Sequence, residues 1–268
     1  MTVVAPKETK RIDILREHAQ YGDIKSDKEF KFTFDERDNM LDIIEAHNLD
    51  ELVKGKNDAE TAITLMNWLC QHYKHGNPPH WICENKPTPQ DIMQTADKWE
   101  HRTNCRGLSL ILAQLIRAYG IKAFHITCMP YEEPFDDCHV VVCVYSERLR
   151  KLIVLDPTYN LYVRNKAGEI IGIDELRKFL IAGFNVSFND DCFSHLFEND
   201  NENYKSYMAK NLVRIERYTE NSYGVDCVDD KEGRIVLVSE NYMHKEAKQF
   251  SAEAQTTFVT SREYFWKV

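Results

Sequence analysis

The run R-T-N-C-R-G-L-S-L-I-L-A-Q-L-I-R-A-Y-G, from Arg102 to Gly120, constrains the fold of this chain more than any other segment. Leu108, Ile111, Leu112, Leu115, Ile116 and Tyr119 recur at i, i+3, i+4, i+7, i+8 and i+11, the period of a helix with one buried face. Asn104 suits an N-cap and Gly120 a C-terminal stop, so Cys105 belongs in the first turn, on the face of Leu108 and Leu112. A thiol there meets free backbone N–H groups and the positive end of the helix dipole, and both favour thiolate. Three β-rich runs follow, at 121–129, 138–145 and 151–156. Pro157, which has no N–H for a ladder, ends the last of them.

Those strands carry the chemistry. His139 and Asp156 supply an imidazole and a carboxylate on successive strands, and Cys105 supplies a thiol at a helix start. A thiol is activated when an imidazole takes its proton while a carboxylate fixes the ring tautomer and stabilises the imidazolium. Each residue has a structural reading as well: a small buried hydrophobe, a satisfied strand histidine, a turn former before proline. The order of helix start, strand and strand end favours the catalytic one. An antiparallel hairpin with an even loop centred between Glu147 and Arg148 sets His139 directly opposite Asp156, Val141 opposite Val154 and Cys143 opposite Leu152. That register turns all six toward the helix of Cys105, with Val140, Val142 and Val144 facing away.

The runs N-C-R-G-L-S, D-C-H-V-V-V-C-V-Y-S and K-L-I-V-L-D-P-T resemble the transglutaminase-like superfamily, circularly permuted relatives of papain-type cysteine proteases. The resemblance spans about residues 58–186. It implies an α+β, transglutaminase/papain-like fold with N-terminal helices packed on an antiparallel β-sheet. It also implies Cys105 as nucleophile, His139 as base and Asp156 as orienting acid. Members of that superfamily include transamidating enzymes, peptidases, deglycosylating hydrolases and inactive scaffolds, so the resemblance bears on chemistry more than on substrate.

A carbonyl reaction needs donors for the developing oxyanion. The backbone N–H of Cys105 is one. The second donor is open: the resemblance implies a Trp or Gln side chain upstream, and the chain offers Trp81, Trp99, six residues before the thiol where papain-like relatives carry Gln, and Trp68, on the preceding helix, each of which reads first as a core aromatic.

Composition supports a soluble enzyme. With 34 Lys plus Arg against 43 Asp plus Glu, the net charge of −9 disfavours a nucleic-acid partner. No apolar run is long enough for a membrane span, and the first 30 residues read as charged rather than as a signal peptide. Eight cysteines without a sign of export read as reduced thiols in a cytoplasmic protein. Cys70, Cys128, Cys143, Cys192 and Cys227 read as small core residues.

Helices are expected at 7–20, 35–54, 58–75 with Asp58 as cap, 89–99 behind Thr88-Pro89, and 174–184. Further strand-like runs fall at 160–164, 211–219, 233–239 and 256–260. The acidic, Asn-rich 185–203 reads as a loop or boundary. Residues 1–186 are therefore taken as the catalytic core and 187–268 as a β-rich extension packed on it. No cofactor is expected. Zinc on Cys70, His72, His75, His80 and Cys83 fits no known spacing, and calcium on Asp190, Asp191, Glu198, Asp200 and Glu202 lacks an EF-hand pattern.

The expectation for function is a cysteine enzyme acting on a carboxamide or peptide carbonyl through a thioester, with a peptide or protein substrate. Hydrolysis is preferred to amine transfer because no pocket for a lysine-like acceptor is legible. The alternative is a catalytically inactive peptide-binding or scaffold module of the same fold.

Overall fold

A computed structural model describes residues 6–76, 87–131, 138–193, 201–224, 233–245 and 256–268. Helices dominate the first part, and their ends follow local side-chain chemistry. Asn57 caps Asp58–His72 through a capping box with Glu60, one residue before the expected cap. Asp58 instead accepts hydrogen bonds from Ser146 Oγ at 2.9 Å and Arg148 N at 3.2 Å, and so ties the helix start to a hairpin turn. Thr88 caps Pro89–Asp97 through the same reciprocal device with Asp91. The expected helix at 35–54 is three short ones, Glu36–Asn39, Leu41–Ala46 and Leu49–Val53, with Asn48 in the left-handed region at φ 51° just before the third.

The helix Cys105–Arg117 starts where its sequence says. The side chain of Asn104 accepts from Gly107 N at 3.0 Å, and the stop residue Gly120 has φ 73°.

Among the described residues the sheet has eight strands, in the spatial order Thr257–Val259, Arg234–Leu237, Arg214–Tyr218, Ala123–Met129, His139–Ser146, Lys151–Asp156, Leu161–Arg164, Ser187–Phe188. Neighbours run antiparallel except at one edge, where Arg234–Leu237 and Thr257–Val259 are parallel. Three strands from beyond residue 187 thus lengthen the sheet on the side of Ala123–Met129. A two-stranded parallel pair, Lys74–His75 with Arg102–Thr103, lies outside it.

Both faces of the central strands are buried, each under helices. Val142, Val144, Ile153 and Leu155 pack with Leu108, Ile111, Leu112, Leu115 and Ile116 of the helix that Cys105 opens. Val141, Cys143 and Val154 pack on the opposite side with Leu176, Leu180, Tyr204 and Met208. Each such aliphatic side chain contributes about 1.5–3 kcal/mol when fully buried, so neither face is free to turn outward. The alternation places His139 and Asp156 with Val141 and Val154, on the side away from the Cys105 helix, opposite to the face expected from the sequence.

Leu15 of the helix Pro6–Glu17 packs in that second layer with the helices Ile173–Ala182 and Asn201–Asn211. The latter begins inside the stretch read as a loop. Its buried positions Tyr204, Met208, Asn211 and Leu212, with Tyr207 beside them, recur at i, i+3, i+4, i+7 and i+8, a pattern that was present in the sequence but diluted by Asn, Glu and Lys. Among the described residues no helix is long and apolar enough to cross a membrane.

Candidate active site

His139 opens the strand His139–Ser146 and Asp156 closes Lys151–Asp156; their side chains are 2% and 1% exposed. The ring Nε2 and the carboxylate Oδ2 are 2.6 Å apart. They reach each other by a different register from the one expected. Ser146 pairs with Lys151 across a four-residue turn, and Cys143 pairs with Val154. The hairpin is therefore shifted by two residues, and Asp156 stands level with Val141. A shift of two preserves the face, so the carboxylate meets His139 diagonally along the same side of the sheet.

Asp156 is held from three directions. Besides the imidazole, Tyr204 Oη donates to Oδ2 at 3.0 Å and Thr158 N donates to Oδ1 at 3.1 Å. Tyr207 presents its ring edge-on to His139 with centroids 5.3 Å apart, and Tyr159 lies at 5.8 Å. Two of these tyrosines, Tyr204 and Tyr207, come from the helix Asn201–Asn211, in the region read from sequence as a β-rich extension. Only the helical spacing of that segment signalled a buried face, and nothing in it signalled contact with a carboxylate 48 residues away.

With Nε2 on Asp156, the other ring nitrogen of His139 is the one left for the thiol. Burial pushes the Cys105 thiol up. Hydrogen bonds with the His139 and His75 side chains, the charge of His139 and the backbone of Val140 outweigh it and bring the thiol down to about 6, from an ordinary 9.0. His139 moves the opposite way: burial lowers it, but the Asp156 charge and hydrogen bond, with Cys105 adding to them, lift it to about 10. Opposite shifts of this kind favour the proton on the ring over the proton on the sulfur. Burial pushes the thiols of Cys70, Cys128, Cys138 and Cys143 upward. Cys227 lies outside the described residues.

Arg106, next in the chain, points its guanidinium at Thr127 Oγ1, 3.3 Å away. Burial opposes its charge, while Tyr218, Glu216, Cys138 and Cys105 more than restore it.

Of the upstream tryptophans, Trp68 is 5% exposed and packs its ring 4.9 Å from both His47 and His72, Trp99 is 43% exposed in the turn before Cys105, and Trp81 lies outside the described residues. Among the described residues no group of three or more His, Cys, Asp or Glu is arranged to hold a metal ion. Cys70 donates to Pro157 O at 3.1 Å and His72 Nδ1 to Trp68 O at 2.8 Å, so neither joins His75 at a common point. Asp191 accepts from Asn189 at 2.6 Å and Glu202 pairs with Lys205 at 2.7 Å. His80, Cys83, Glu198 and Asp200 lie outside the described residues.

No family model matches this chain, and no curated protein matches its sequence. Solved structures do align with it. A proposed cysteine protease from Cytophaga hutchinsonii aligns over 56% of this chain and 48% of its own length, at 17% identity and a TM-score of 0.34. A proposed protease from Parabacteroides distasonis aligns over 60% and 30%, at 11% identity and a TM-score of 0.30. A structure described as that of a TGase aligns over 59% and 34%, at 14% identity and a TM-score of 0.27. The chain thus spans about half or less of the length of the structures it matches.

Proposed function

We propose that this protein is a transglutaminase-like cysteine enzyme, in which Cys105 attacks a carboxamide or peptide carbonyl and the resulting thioester is resolved by water in preference to an amine. One arrangement carries the reading: a thiol at a helix start beside an imidazole that is itself held 2.6 Å from a buried carboxylate. The thiolate is the attacking species, and its partner imidazolium is the acid that the departing nitrogen requires.

In the acylation step the Cys105 sulfur forms a bond to the carbonyl carbon, and the C=O pair moves onto oxygen. The oxygen is received at the helix start, where the N–H of Cys105 has no intrahelical acceptor. Collapse restores the carbonyl and breaks the C–N bond, with the His139 proton passing to nitrogen. Water then donates a proton to neutral His139 as it attacks the thioester, and the C–S bond breaks to regenerate the thiolate–imidazolium pair. Asp156 stabilises the charged ring at every stage at which it carries the proton. A peptide or protein is the substrate class that this chemistry suits.

The test is mass spectrometry of the protein and of a glutamine-containing peptide after mixing, with and without a primary amine. A covalent adduct confined to Cys105 and conversion of Gln to Glu are expected, both abolished by Cys105→Ala while the melting temperature stays close to wild type. Peptide binding that survives Cys105→Ala, His139→Ala and Asp156→Asn, with no turnover on a broad amide library, would instead favour a peptide-binding scaffold. Limited iodoacetamide treatment near neutral pH should modify Cys105 before Cys70, Cys128 or Cys143.

A further inference from the structure

The sulfur of Cys105 has two imidazoles, and the mechanism above uses one. The second is His75. Its backbone runs parallel to the segment that leads into the nucleophile, with Lys74 level with Arg102 and His75 level with Thr103. Lys74 N donates to His101 O at 2.8 Å, Gly76 N donates to Thr103 O at 3.0 Å, and the Arg102 guanidinium reaches His75 O at 3.3 Å. Thr103 is 2% exposed, so this short pair is anchored on a buried residue two positions before Cys105. That pairing carries His75 to the start of the Cys105 helix, where its imidazole is one of the groups that bring the Cys105 thiol down. His139 is buried and committed to Asp156, whereas His75 is exposed to solvent.

We propose that His75 is a catalytic residue of this cysteine site, an N–H donor that stabilises the Cys105 thiolate in the resting enzyme and the carbonyl oxyanion once sulfur has bonded to carbon. This inference rests on the function proposed above and adds the second oxyanion donor to it. The physical argument is one of moving charge. In the resting state the negative charge is on sulfur. As the S–C bond forms, that charge moves onto the oxygen of the carbon just attacked, a neighbour of the same sulfur. A donor fixed beside the sulfur by backbone pairing then faces the new anion with little reorganisation. His75 keeps its own N–H throughout; the proton that reaches the leaving nitrogen is the one on His139.

The test uses the full chain and the variants His75→Ala and His75→Gln, the second of which retains an N–H donor. Since His75 is exposed, both should melt close to wild type. The first readout is the pH midpoint of Cys105 alkylation by iodoacetamide. It should rise by about one pH unit in His75→Ala, the size expected for one hydrogen bond to a charged group, and lie nearer wild type in His75→Gln. The second is turnover of the amide substrate. kcat should fall about 100-fold in His75→Ala with little change in KM, and His75→Gln should recover much of the loss.

An unchanged alkylation midpoint or an unchanged kcat in His75→Ala overturns the proposal, as does a Gln variant no better than Ala. Failure of the underlying reading has a different signature: a wild-type Cys105 midpoint near 9, or no Cys105-dependent turnover. In a chain with no turnover the His75→Ala midpoint still decides whether His75 donates to the sulfur.

Discussion

Three donors converge on the Asp156 carboxylate: His139 Nε2, Tyr204 Oη and Thr158 N. The Asp156→Asn change keeps the shape but turns one oxygen into an N–H group, which cannot accept from the ring and selects the wrong tautomer of His139. A loss of about 10²–10⁴ in kcat is expected, with little change in KM. Tyr204→Phe removes one neutral donor and leaves the imidazole in place. It should cost about 1 kcal/mol in urea denaturation and only a few-fold in kcat. The pH dependence follows from the two shifts. Turnover needs Cys105 as thiolate, lost as pH falls through about 6, and His139 as imidazolium, lost as pH rises through about 10. A bell-shaped kcat/KM profile with limbs near those values is expected. A single rising limb near 9, the ordinary thiol value, would mean that the pair is not formed.

At the scale of elements, the start of the helix Cys105–Arg117 sets the position of the sulfur, and two residues set that start. Asn104 caps Gly107 N, so Asn104→Ala should destabilise the protein by about 1 kcal/mol and raise the alkylation midpoint of Cys105, because the cap holds the first turn in place. Gly107 is packed so closely against Thr103 that a Cβ there would collide with Thr103 Oγ1 and press on Ile92. Thr103 is buried, β-branched and paired with His75, so the collision is relieved by moving the strand pair and not merely a side-chain tip. Gly107→Ala should cost about 1–3 kcal/mol and slow Cys105 alkylation more than its stability loss accounts for. Alkylation at the wild-type rate with lowered stability would show that the packing at Thr103 is separate from the site.

Across the whole molecule, the sheet lies between two helical layers, the Cys105 helix on one face and the helix of Tyr204 on the other, and the thiol meets the imidazole at the strand end that His139 opens. The layers are joined to the rest of the chain by buried charge as well as by apolar contact. Arg117, at the end of the helix Cys105–Arg117, pairs with Glu36, donates to Ala123 O at 2.9 Å and reaches Ser222 O at 3.3 Å. Both side chains of the ion pair are fully buried. Glu36→Ala removes a buried carboxylate from the guanidinium, and a loss of about 3–5 kcal/mol is expected from urea denaturation. Glu36→Gln, which keeps an acceptor, should lose less.

The local features of this protein were determined by its sequence alone. Periodicity and end signals specify the helix Cys105–Arg117, its cap, the strand Lys151–Asp156 and the parity that places His139 and Asp156 on one face, because each depends on residues within one or two turns of one another. Tertiary structure decided the rest. The turn at 147–150 took four residues, so the pair meets diagonally, a difference of two residues that leaves the alternation of side chains unchanged. Which face meets the nucleophile helix was not legible either, since valines at 140–142 and 144 make both faces equally apolar and only the volume of the packed layers distinguishes them. Tyr204 and His75 lie 48 residues after Asp156 and 30 before Cys105. Their roles depend on two segments being carried to the same place, a matter of long-range packing that no local pattern encodes.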